Sequence, residues 1–129
     1  MKKAELNKLT PPEFEIMDAV WCAGEITTIG IFNTINISKP KKLKRTTIQV
    51  QVARLERKGW LTHREDGNRF LFRSTVSREE VLSAIVMDVL ERVFDGSCVE
   101  MVKPLLTNSN ISSDEIKELR EFIYQYEKK

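Results

Sequence analysis

The sequence predicts a mainly α-helical fold with one small β-hairpin, an α+β chain whose hairpin lies between two sets of helices. Three observations carry this. Ile48, Val52 and Leu55 recur at spacings of four and three, so they share one face of a helix that Gly59 stops. Residues 60–65 and 69–76 then read as two strands around Asp66-Gly67-Asn68, a strong hairpin signal. Beyond Ser77 the periodicity is helical again, with an apolar stripe too wide for a surface helix of a small domain. A helix followed by a basic hairpin is the plan of a winged helix-turn-helix. The expected organisation is a winged helix-turn-helix domain over residues 1–76 and a helical dimerisation region over residues 77–129.

Each element has its local reason. The first helix starts near Pro11 or Pro12 with Thr10 as cap, because proline lacks only an N–H that a first turn leaves unpaired. Phe14, Met17 and Trp21 share a face, with Trp21 as core, and Gly24 ends the helix. The second helix runs from about Thr27 or Thr28 to Ile35; it is short and β-branched, so packing must hold it. In the hairpin, alternation puts Leu61, Phe70 and Phe72 on the inner face. Ser77 and Glu80 form a capping box for a fourth helix that reaches about Phe94 and ends at Gly96. A fifth helix spans about Cys98 to Leu106, and Pro104 should kink or end it. Residues 107–110 read as a loop. Ser112 or Ser113 caps the last helix, whose Ile116, Leu119, Ile123 and Tyr126 follow heptad-like spacing.

Composition bounds the function. The chain has 129 residues, 41% hydrophobic and 31% charged, a globular balance. No apolar run nears the roughly 18 residues of a membrane span. Residues 1–5 lack the apolar core of a signal peptide, so cytoplasm is the expected location. Cys22 and Cys98 lie in apolar helical segments and read as buried free thiols. Net charge is only +2, but residues 1–75 carry 14 Lys/Arg against 8 Asp/Glu, and residues 76–129 carry 7 against 11. A basic half joined to an acidic half suits a nucleic-acid reader joined to an assembly module.

The third helix has the surface such a reader needs. Opposite its apolar face stand Thr46, Thr47, Gln49, Val50 and Ala53, short or amide-bearing side chains with no long acid before Glu56. Amides and hydroxyls can read base edges in a major groove, and small or β-branched groups touch thymine methyls. Thr46, Thr47 and Gln49 are therefore candidate base readers, with Val50 as a methyl contact. Five cations fall within residues 39–45, directly ahead of this helix. Lys41, Lys42, Lys44, Arg45 and Arg54, with Arg64 and Arg69 on the wing, are candidate phosphate contacts. His63 has no second ligand at a useful spacing and reads as a surface or phosphate-contacting residue.

The C-terminal helices are too few to enclose the apolar face of the fourth. A second copy of the chain is the economical cover, with Leu82, Ile85, Val86, Val89, Leu90, Val93, Ile116, Leu119 and Ile123 as candidate interface residues. A two-fold dimer would set two reading helices against a pseudo-palindromic site on double-stranded DNA. The alternative is a winged-helix protein-interaction module in a larger complex. An enzyme is not expected: the sequence has no Gly-rich phosphate loop, no Cys/His metal set, no nucleophile–base motif and a single histidine. No cofactor and no metal are expected either.

The segment Thr47-Ile48 with Arg54-Leu55-Glu56-Arg57-Lys58-Gly59-Trp60-Leu61 resembles the recognition helix of the penicillinase-repressor (BlaI/MecI-type) regulators. Leu9-Thr10-Pro11-Pro12-Glu13-Phe14-Glu15-Ile16-Met17 with Val20-Trp21 is similar to their first helix. Phe94-Asp95-Gly96-Ser97 and Asp114-Glu115-Ile116-Lys117-Glu118-Leu119 resemble landmarks of their C-terminal region. The resemblance implies a homodimeric repressor of resistance or stress genes, often with a membrane sensor-protease encoded nearby. Val50 stands where members of the family often carry Thr. In one branch a protease cuts an Asn-Phe bond in the C-terminal region; the matching position is Pro104-Leu105, a departure on both sides of the bond. A copper-responsive branch carries a C-terminal Cys-x-Cys pattern that this sequence lacks, so metal sensing is not implied.

Overall fold

The computed structural model describes Leu6, residues 8–108 and residues 110–129. Residues 1–5, where the signal-peptide question falls, and Ser109, within the expected 107–110 loop, lie outside the described residues. The elements in chain order are α1 (Pro11–Ala23), α2 (Thr28–Asn36), α3 (Arg45–Arg57), β1 (Leu61–Asp66), β2 (Arg69–Ser74), α4 (Arg78–Phe94), α5 (Cys98–Asn108) and α6 (Ser113–Glu127). They form two compact units, residues 1–87 and 88–129, and the division falls inside α4.

In the first unit α1 opens with a complete capping box. The Glu13 N–H donates to Thr10 Oγ1 at 3.3 Å, and the Thr10 N–H donates to Glu13 Oε1 at 2.9 Å. Thr27 caps α2 in the same way, accepting from the Gly30 N–H at 3.0 Å. Ile16, Met17 and Val20 of α1, Ile31 and Ile35 of α2, and Ile48, Val52 and Leu55 of α3 close one core with Trp60, Leu61 and Phe72. The hairpin pairs antiparallel from Leu61 opposite Ser74 to Asp66 opposite Arg69. Its two-residue loop needs left-handed backbone, which Gly67 supplies at φ 65°. Ile26 adds a bridge on the other edge of β2, with N–H···O bonds of 3.0 and 2.8 Å exchanged with Phe72.

The structure corrects four expectations here. Phe70 lies on the inner face by alternation, but its pair with Glu65 is one step from the turn, and it is 48% exposed. It stacks on His63 with ring centroids 4.4 Å apart instead of entering the core. Cys22 and Cys98 are free, as expected, yet both are exposed; Cys98 opens α5, which buries no residue. The fourth helix does not belong wholly to the C-terminal region: Val81 is 0% exposed within the winged core, and Ile85 packs against that core.

The fourth correction concerns α5. It continues through Pro104 to Asn108, so Thr107 and Asn108 are helical. The N–H that proline lacks would have bonded the Glu100 carbonyl four residues back. Glu100 lies exposed in the first turn, where water can serve that carbonyl. The connection to α6 is therefore limited to residues 109–112. Ser112 caps α6 by accepting from the Glu115 N–H at 3.1 Å. Every residue of α6 is exposed in the single chain.

Candidate nucleic-acid interface

Packing decides which face of α3 is presented. With Ile48, Val52 and Leu55 buried, Thr46, Gln49, Val50 and Ala53 point outward over its first turns. Val50 is 56% exposed, a large apolar exposure for a surface the fold had no need to make apolar. Thr47 is half-buried at the margin of this face. Arg54 and Arg57 extend the face toward the C-terminus.

The cations around this face differ in their freedom. Lys41, Lys44 and Arg54 are exposed and, among the described residues, have no carboxylate partner within 4.0 Å. Arg45 is also exposed, with its guanidinium 5.8 Å from the Phe32 ring of α2. Lys42 is also exposed, but its ammonium is engaged: it donates to the backbone carbonyls of Asn36 and Lys39, the latter at 2.8 Å.

On the wing, the register puts Arg64, Arg69 and Arg73 on one outward face, opposite Leu71, Asp66 and Thr62 respectively. Arg64 grips Glu25 with a fork, Nε at 2.8 Å and Nη2 at 3.0 Å. That contact holds the Glu25 carboxyl below its usual range and raises the Arg64 guanidinium. Arg69 pairs with Asp66 across the turn at 3.1 Å. Arg73 has no such partner among the described residues, and it joins the candidate phosphate contacts. The sequence already places Arg73 on the wing beside Arg64 and Arg69. His63 is held by the Glu56 carboxylate of α3 and lies against Phe70 and Phe72, so it ties wing to helix.

Of the candidate interface residues, Val86, Val93, Ile116, Leu119 and Ile123 are exposed, and Leu82, Ile85 and Val89 are half-buried. Leu90 is already buried within its own chain. No group of three or more His, Cys, Asp or Glu able to hold a metal occurs among the described residues. No described helix is long and apolar enough to cross a membrane.

A polar, short-chained helix face flanked by unpaired cations and followed by an arginine-bearing hairpin defines a winged helix-turn-helix DNA-binding regulator. The family model for the penicillinase repressor matches residues 9–125, and the chain belongs to that family of transcriptional repressors, which are not enzymes. The chain is 27% identical over 126 residues to a penicillinase repressor of Bacillus licheniformis, covering 98% of this chain and 95% of the relative. It is 24% identical over 116 residues to the methicillin resistance regulatory protein MecI of Staphylococcus aureus, covering 90% and 93%. The solution structure of the DNA-binding domain of the repressor BlaI superposes with a TM-score of 0.52 at 25% identity, over 62% of this chain and 93% of that one. A mutant MarR from E. coli, complexed with operator DNA, shares the fold with a TM-score of 0.52 at 18% identity over 94% of this chain and 81% of its own.

Proposed function

We propose that this repressor acts as a homodimer on a pseudo-palindromic operator. Thr46, Thr47, Gln49 and Val50 meet base edges, and Lys41, Lys44, Arg45, Arg54, Arg64, Arg69 and Arg73 meet phosphates. The observation that carries the reading is the α3 face itself: exposed, free of long acids and bordered by unpaired cations. Dimerisation follows from the apolar side chains left exposed on α4 and α6, among them Val86, Val93, Leu119 and Ile123. By family likeness the partner that relieves repression is a membrane sensor-protease, and the repressor itself works in the cytoplasm without a cofactor.

Salt dependence tests the proposal. A dimer neutralising about 6–10 phosphates loses roughly a thousandfold or more in affinity between 50 and 200 mM salt. Titration of the full chain against a duplex, followed by fluorescence anisotropy, should show that loss. An affinity flat across the range would remove the DNA-reading role and favour a protein-interaction module.

A further inference from the structure

The turn between α2 and α3 holds a closed polar arrangement that phosphate and base contacts leave unexplained. Asn36, the last residue of α2, is only 8% exposed. Its Nδ2 donates to the Leu43 carbonyl at 3.2 Å, and the Leu43 N–H donates back to its Oδ1 at 2.9 Å. The backbone carbonyl of Asn36 accepts from the Lys42 ammonium, which also donates to the Lys39 carbonyl. A cation at this point also meets the negative end of the α2 dipole. Leu43 packs against the core. The next residue, Lys44, is the N-cap of α3 and makes no side-chain cap bond, whereas the Thr10 and Thr27 hydroxyls each accept one at the start of α1 and α2. The start of α3 is thus fixed from outside the helix, through Leu43.

We propose that Asn36 and Lys42 are positioning residues for operator recognition, clamping Leu43 so that Thr46, Gln49 and Val50 stand at the depth and angle that base contact requires. The proposal rests on the operator reading above. It also gives Lys42 a different role from its neighbours in the basic cluster. Lys41 and Lys44 attract any duplex, while Lys42 acts on the orientation of α3 and so on sequence preference alone.

The test uses the full chain, a duplex that the wild-type protein selects from a random library, and a scrambled duplex of equal composition. Asn36→Ala should lower affinity for the selected duplex about tenfold or more, the scale of one or two lost base contacts, with the scrambled duplex unaffected. Lys42→Ala should do the same more weakly, and Lys42→Arg, which can still donate to both carbonyls, should restore preference. The slope of log affinity against log salt should stay at the wild-type value for all three. A slope shallower by about 0.9 per lost contact, so about 1.8 for the two Lys42 side chains of a dimer, with equal losses on both duplexes, identifies a phosphate contact and overturns the clamp. Equal losses on both duplexes for Asn36→Ala overturn it also. If Asn36→Ala does not fold, the Lys42 pair decides alone. Failure of the operator reading looks different, because the wild-type chain would then select no duplex at all. The clamp is in that case judged by hydrogen exchange at the Leu43 amide, protected in wild type and exposed in Lys42→Ala and Asn36→Ala; an unprotected wild-type amide refutes it.

Discussion

Glu13 is where the chemistry of single residues is plainest. Burial pushes its carboxyl up, but the Thr10 N–H and hydroxyl and the Lys58 ammonium pull it further down, so the folded carboxyl titrates below its usual range. A carboxyl whose folded pKa is depressed adds stability above its unfolded pKa and loses it as pH falls through the folded one. Glu13→Gln keeps an N3 acceptor for the Thr10 N–H but loses the charge paired with Lys58, so it should cost up to about 1 kcal/mol at pH 7, the scale of a partly exposed ion pair. It should also flatten the fall in Tm below about pH 5. Calorimetric melts from pH 3 to 7 check both; an unchanged acid slope would assign the titration to another group. Gln49 carries the matching functional prediction. Gln49→Ala should lose about 1–3 kcal/mol of discrimination at one base position while binding scrambled DNA as before. Competition binding reads this, and equal losses on both sites would take Gln49 out of the reading face. The direction of that face was legible in the sequence, since burying Ile48, Val52 and Leu55 fixes what lies opposite. The half-burial of Thr47 was not, because a residue at the margin of two faces depends on how closely the neighbouring helix approaches.

Among the elements, the hairpin was legible and its moorings were not. Asp66-Gly67-Asn68 names a turn by local backbone preference. The Arg64–Glu25 fork joins residues 39 apart, and the His63–Glu56 pair joins wing to α3, so both exist only after the fold brings them together. The fork has a functional consequence. Under the proposed phosphate role of Arg64, Glu25 would compete with DNA for it, and Glu25→Gln should then tighten duplex binding and steepen the salt slope by about 0.9 per added phosphate contact. Weaker binding by this variant would mean that Glu25 positions Arg64 instead. A second consequence follows from α5. An extended protease substrate is not available at Pro104-Leu105, which is helical and lacks one N–H. Mass spectrometry of repressor fragments from induced cells should find no terminus at Leu105; any cut should lie in the 109–112 connection. The proline signal in the sequence was real, but α5 continues past it, with the carbonyl it leaves unbonded on an exposed residue of the first turn.

At the scale of the whole molecule, the stripe on α4 read as one surface because periodicity reports a face and not what covers it. The structure divides that stripe. Val81 and Ile85 serve the winged core, Leu90 is covered within the chain, and Val86 and Val93 remain exposed. Truncation separates these roles. A chain ending at Val76 loses Val81, fully buried, and the packing of Ile85. Those two side chains are worth about 2–4 kcal/mol together, a large part of the roughly 5–15 kcal/mol that holds a domain. A chain ending at Met87 keeps both and matches the compact unit of residues 1–87. The longer piece should melt cooperatively as a monomer and bind duplex DNA weakly, without the second reading helix. The shorter piece should melt at markedly lower temperature or fail to fold. Sedimentation and thermal unfolding of the two pieces, beside the full chain, decide the point. Equal stability of both pieces would remove Val81 from the winged core, and tight dimerisation of the longer piece would move the proposed dimer contact away from α6.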